Sequence, residues 1–77
     1  MSKPTQADVI KIVSVITKKP VTSITPQSDL RADLGMDSLA ALDLLVTLEE
    51  EYNMVIPQEA AAEFKTLQNV LDHIRSM

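Results

Sequence analysis

Asp33-Leu34-Gly35-Met36-Asp37-Ser38-Leu39 is the stretch on which the fold of this chain turns. Gly35 is the only glycine among 77 residues, and it stands just before a long amphipathic run. Glycine reaches left-handed backbone conformations that cost other residues energy. Asp37 is a good N-cap, because its carboxylate can accept from a first-turn N–H and start a helix. Ser38 then falls in the first turn, with its hydroxyl at the mouth of the helix. Unpaired N–H groups and the positive end of the macrodipole gather there, which suits a phosphate carried on the serine. A glycine turn before a capped helix is the plainer reading of the same residues, so the surrounding chain has to decide.

From Ser38 to Tyr52 the predicted helix is apolar on two sides. Ala41, Leu44, Leu45, Leu48 and Tyr52 form one stripe, and Leu39, Leu42 and Val46 form another. Three or four helices of this size can hardly surround one helix completely. The first stripe therefore reads as core and the second as a partner-facing patch. Asp43, Glu49, Glu50 and Glu51 lie on or beside that patch. A solvated helix end accounts for Glu51, whereas Asp43 and Glu50 stand where a docking partner would meet them.

Upstream, the pattern predicts a helix over 6–18. Thr5 can cap it, with Asp8 three residues on as in a capping box. Val9, Ile12, Val13 and Ile16 follow at i, i+3, i+4, i+7, and Ile10 and Val15 widen the stripe. Pro20 ends the helix. Val21 to Met36 is a long connection rich in turn formers, anchored by Val21, Ile24, Leu30 and Leu34. Connections of that length are often functional. Downstream, Pro57 opens a short helix over 58–63, and Thr66 caps a last helix striped by Leu67, Val70, Leu71 and Ile74. His73 falls beside that stripe and reads as a surface or half-buried residue. The expected fold class is all-α: a small bundle of three longer helices plus one short helix, with a long loop between helices one and two. Residues 1–77 are expected to form one domain.

Composition narrows the function. The chain has no cysteine, so neither a disulfide nor a thiolate metal ligand is available. A net charge of −4 argues against nucleic acid, which demands a basic surface. One Tyr, one Phe and no Trp leave almost no platform for base stacking. No apolar run approaches the ~20 residues of a membrane span. Met1 to Gln6 lacks the apolar core of a signal peptide, so a cytoplasmic protein is expected. Met1 and the compact ends suit a free-standing monomer.

Enzymatic readings fit poorly. A nucleophile elbow needs glycine two residues either side of its serine, and here those positions hold Met36 and Ala40. His73 is the only histidine available as a base. Asp29, Asp33 and Asp37 recur every four residues, whereas a calcium-binding loop spaces its acids every two. No catalytic residue and no metal site are expected. What remains is one serine at a helix mouth beside an apolar and acidic face, which suits a protein that carries something covalently.

Asp33-Leu34-Gly35-Met36-Asp37-Ser38-Leu39, then Leu48-Glu49-Glu50-Glu51-Tyr52, then Ile56-Pro57 resemble the acyl carrier proteins. The similarity runs from the first helix to the Leu67–Ile74 stripe. It implies that Ser38 is the attachment point of 4′-phosphopantetheine, which a phosphopantetheinyl transferase moves from coenzyme A. It gives Asp37 the role of helix cap beside that site. It implies docking of partner enzymes through Leu39, Leu42, Asp43, Val46, Glu50 and Ile56. Those partners would include an acyltransferase or acyl-ligase and a ketosynthase. Where a member folds its acyl chain into the bundle, Leu48, Phe64 and Leu71 are the expected lining.

Departures bear on the pathway. Many fatty-acid carriers hold an acid where this chain has Ala40, and their acid-rich third helix here reads Ala60-Ala61-Ala62. Fewer carboxylates weaken steering by basic partners. The resemblance therefore leans towards polyketide or other specialised acyl biosynthesis, with fatty-acid synthesis close behind. Peptidyl or aminoacyl carriers usually place two glycines before the His or Asp that precedes their serine, and Gly35-Met36 supplies only one. An unmodified helical interaction module, using the Leu39/Leu42/Val46 patch alone, is the alternative of a different class.

Overall fold

The computed structural model of the chain describes residues 3–76. Met1, read above as the start of a free-standing protein, lies outside them, as do Ser2 and Met77. Among the described residues the helices are α1 (Gln6–Thr17), α2 (Ser38–Tyr52), α3 (Gln58–Ala61) and α4 (Leu67–Arg75), with one 3-10 turn at Val21–Ser23. The expected architecture of three longer helices and one short helix is the one that forms.

α1 begins at the expected capping box. The Asp8 N–H donates to the Thr5 hydroxyl at 3.2 Å, and the Thr5 N–H donates to the Asp8 carboxylate at 2.9 Å. The helix ends one residue before the expected limit, because Lys18 turns left-handed at φ 60°. Val9 and Val13 are its fully buried face. Burial, and then the Asp8 and Glu51 carboxylates nearby, push the Tyr52 phenol up. The last turn of α2 thus lies beside the first turn of α1.

α3 is shorter than the expected 58–63. Past Ala61 the chain relaxes into turns, with the Ala62, Glu63 and Phe64 N–H groups bonded back to Gln58, Ala60 and Ala61 at 2.9, 3.1 and 3.1 Å. No residue of α3 is fully buried. Helical stability in proteins comes mostly from packing an apolar face, and a face of alanine methyls offers little to pack.

The long connection is ordered by α4. The Leu67 N–H donates to the Ser28 carbonyl at 3.1 Å and the Gln68 N–H to the Pro26 carbonyl at 2.8 Å. First-turn N–H groups have no partner within their own helix, so loop carbonyls satisfy them here. An antiparallel bridge between Asp29 and Thr66 adds the Leu30 N–H to Lys65 carbonyl bond at 2.9 Å. The apolar anchors Ile24, Leu30 and Leu34 are buried as expected. Val21 is not an anchor: it lies at the surface in the 3-10 turn, directly after Pro20. Met36 takes that role instead and is among the largest fully buried side chains.

Asp29 and Asp33 staple this loop. Asp29 Oδ1 accepts from the Ala32 N–H at 2.8 Å and the Arg31 N–H at 2.9 Å, and Asp33 Oδ2 accepts from the Asp29 N–H at 2.7 Å. The Ala32 and then the Arg31 N–H hold the Asp29 carboxyl below the usual carboxylate range. Gly35 follows at φ +66°, with its N–H on the Arg31 carbonyl at 2.9 Å. Met36 then returns its N–H to Leu30 at 2.8 Å.

Two outcomes follow from the loop. A Cβ at Gly35 would meet no atom within 4 Å, so Gly35→Ala carries only the left-handed backbone penalty. It should cost about 1 kcal/mol in urea unfolding, and Gly35→Asn less. The depressed Asp29 carboxyl contributes stability above about pH 4, which is lost as pH falls through the folded-state value. Asp29→Asn should therefore flatten the acid limb of a urea-midpoint-against-pH curve.

Candidate functional site

The site is built where the loop enters α2. Asp37 is extended at φ −86° and ψ −172°, and its Oδ1 accepts from the Ala40 N–H at 2.8 Å. That cap satisfies one first-turn donor. The Ser38 and Leu39 N–H groups have no carbonyl four residues back within the helix. Ser38, the first residue of α2, is exposed. Its hydroxyl therefore stands free at a helix N-terminus, where an attached phosphate would meet unpaired N–H groups and the positive dipole end. The residues present fit a phosphate-linked group on that oxygen.

Ser38 opens on a cleft of about 560 Å³ between α2, α3 and the loop. Leu30, Met36, Leu44, Leu45 and Phe64 make its apolar walls, with the Ala61 and Ala62 methyls of the α3 region. That volume lies in the range of small-molecule pockets. Phe64 is thus in the expected lining, but Leu48 and Leu71 are not. Both are buried in the central core. Leu44 and Leu45, closer to Ser38 along α2, occupy the cleft face instead. Met36 and the loop residue Leu30 were not expected here, and no local pattern marks them, because the loop fold brings them in.

Leu39, Leu42 and Val46 remain uncovered on α2, with Leu39 76 % and Leu42 55 % exposed. Asp43 and Glu50, seven residues apart on one face, are exposed beside them. Leu42 also reaches the cleft rim, which joins the outer patch to the cleft. Ile56 does not belong to this surface. It is 6 % exposed and packs in the core, while its N–H donates to the Glu49 carboxylate at 2.9 Å. Val55 is exposed in its place. Burial alternates along 54–56, with Met54 half-buried, Val55 exposed and Ile56 turned inward. Glu49 is therefore a staple of the α2–α3 connection.

No residue lining the cleft offers an imidazole to Ser38. His73 is half-buried elsewhere, edge-on to Phe64 at 5.7 Å between ring centroids. Asp37 is engaged as the cap.

A carrier-type four-helix bundle with one presented serine is the class that this geometry defines. The family model described as a phosphopantetheine attachment site matches residues 7–74. The chain is 33 % identical over 75 residues to an acyl carrier protein of Thermosynechococcus vestitus, covering 92 % of this chain and 93 % of that one. It is 44 % identical over 54 residues to an acyl carrier protein of Treponema pallidum, covering 70 % and 69 %. Among solved structures, a Mycobacterium tuberculosis chain described as a candidate acyl carrier protein superposes with a TM-score of 0.85 at 27 % identity, covering 92 % and 95 %. The apo doublet acyl carrier protein from prodigiosin biosynthesis gives 0.77 at 25 % identity, covering 92 % of this chain and 34 % of that one. The chain belongs to the acyl carrier protein family, whose cofactor is phosphopantetheine. Carriers of this family are non-catalytic and hand their cargo to acyl-processing enzymes. Among the described residues no helix is long and apolar enough to cross a membrane.

The cap can be tested directly. Asp37→Ala should lose about 1 kcal/mol in urea unfolding, and Asp37→Ser should recover most of it.

Proposed function

We propose that Ser38 carries the 4′-phosphopantetheine arm and that this protein shuttles acyl thioesters in polyketide or other specialised acyl biosynthesis. The observation that carries the reading is an exposed serine hydroxyl at the first residue of α2, opening on an apolar cleft. Ser38 Oγ attacks the phosphorus of coenzyme A that bears the pantetheine arm. A phosphodiester forms, the pyrophosphate P–O bond breaks, and adenosine 3′,5′-bisphosphate leaves. The serine proton passes to a base on the phosphopantetheinyl transferase, since the cleft supplies no imidazole. The arm, once attached, provides the thiol that this cysteine-free chain lacks, and with it the thioester linkage.

Residues of the chain divide the remaining work. Asp37 fixes the start of α2 and so the position of Ser38. Leu39, Leu42 and Val46 supply an apolar docking patch, and Asp43 and Glu50 favour partners with basic rims. The transferase, an acyltransferase or acyl-ligase, and a ketosynthase are the partners expected to meet it. Leu30, Met36, Leu44, Leu45 and Phe64 shelter a short acyl chain. The lean away from fatty-acid synthesis rests on Ala40 and on Ala60-Ala61-Ala62, which remove carboxylates from the docking side. Residues 1–77 act as one cytoplasmic carrier domain in this reading.

Intact mass spectrometry after incubation with coenzyme A and a permissive transferase tests the assignment. The native chain should gain one phosphopantetheine, and Ser38→Ala none. A folded native chain that gains nothing overturns it in favour of an unmodified docking module. Val46→Glu, placed on the patch and away from the cleft, should slow arm transfer about tenfold with unchanged circular dichroism.

A further inference from the structure

We infer that Phe64 is the end wall of the Ser38 cleft and sets the length of acyl chain that this carrier shelters. The inference rests on reading the cleft as the acyl compartment. Phe64 lines two cavities. One is the cleft of about 560 Å³ on which Ser38 opens. The other, of about 170 Å³, lies against Phe64 with Ala60, Glu63, Asn69, Asp72 and His73, and Ser38 takes no part in its lining. Phe64 is therefore the residue shared by the linings of a compartment open to the serine and one that is not.

The two compartments differ chemically. Before the ring the walls include Leu30, Met36, Leu44 and Leu45. Behind it stand Glu63, Asn69, Asp72 and His73. A hydrocarbon chain gains free energy for each methylene buried against the apolar walls. Past the ring it would displace the hydration of polar groups and gain little in return. Phe64 is also firmly held. The Phe64 N–H donates to the Ala61 carbonyl at 3.1 Å. Lys65, the next residue, is bonded on both sides: its N–H to Asn69 Oδ1 at 2.9 Å and its carbonyl to the Leu30 N–H at 2.9 Å. The ring then meets His73 edge-on, at 63° between planes, an arrangement favoured for aromatic pairs. With the backbone fixed, removing the ring is the direct way to join the two spaces.

Graded straight-chain acyl-coenzyme A donors, lengthened one methylene at a time from acetyl, would load acyl arms onto Ser38 of the native protein, Phe64→Leu and Phe64→Ala. The readout is the rate of thioester cleavage by hydroxylamine. On the native protein, cleavage should slow by up to about fourfold per added methylene, then level off where the chain meets the ring. The levelling point should move to longer chains in Phe64→Leu and further in Phe64→Ala, by the methylenes that fit the volume the ring leaves. Each comparison is made among chain lengths on one variant, so a general loss of stability leaves the levelling point where it was. The same levelling point in all three proteins overturns the role of Phe64 and leaves the cleft reading intact. No slowing at any length on the native protein overturns both. Failure of the arm to attach is a separate result, read by mass before any acyl group is compared.

Discussion

The structure depends on an exchange of hydrogen bonds between the long loop and the start of α4. Leu67 and Gln68, in the first turn of α4, have N–H groups that no carbonyl of their own helix can reach. The carbonyls of Ser28 and Pro26 take them. Without α4 the loop would lose its anchor, and without the loop the buried end of α4 would keep unpaired donors, a costly state. The Thr66 cap completes the arrangement: Asn69 Oδ1 accepts from the Lys65 and Thr66 N–H groups, both at 2.9 Å. Everything that positions Ser38 is transmitted through this junction. Leu30 is held by Lys65, Met36 by Leu30, and Asp37 opens α2 directly afterwards.

That wiring fixes the start of α2 beside a more lightly held α3. α1, α2 and α4 share a core of Val9, Val13, Leu44, Leu48, Leu67, Val70 and Ile74. α3 contributes no fully buried residue to it. The cleft lies between the firm element, α2, and the lightly held one. Local opening is easiest where few apolar contacts must be broken, so the α3 side of the cleft is where opening costs least. The same weakness explains why α3 stops at Ala61 and not at Glu63.

The acidic residues divide into two kinds that a charge count cannot separate. Asp29, Asp33, Asp37 and Glu49 each accept a backbone N–H and shape the chain. Asp43 and Glu50 are exposed on the outer face of α2. The recurrence of Asp29, Asp33 and Asp37 every four residues is thereby explained as backbone stapling.

The sequence by itself determined the helices and their starts. Periodicity marks α1, α2 and α4, and Thr5, Asp37 and Thr66 cap them as read, because caps and stripes are local interactions written within a few residues. Gly35 and Ser38 were legible for the same reason, as were the two sides of α2. Tertiary structure alone decided which apolar residues outside helices face inward. Val21 and Met36 exchanged roles in the loop, and Ile56 turned into the core while Val55 faced out. It also decided that Leu44, Leu45 and Leu30, not Leu48 and Leu71, line the cleft with Phe64. A cavity is a property of elements packed against one another. No stretch of chain encodes it until the loop has been fastened to α4.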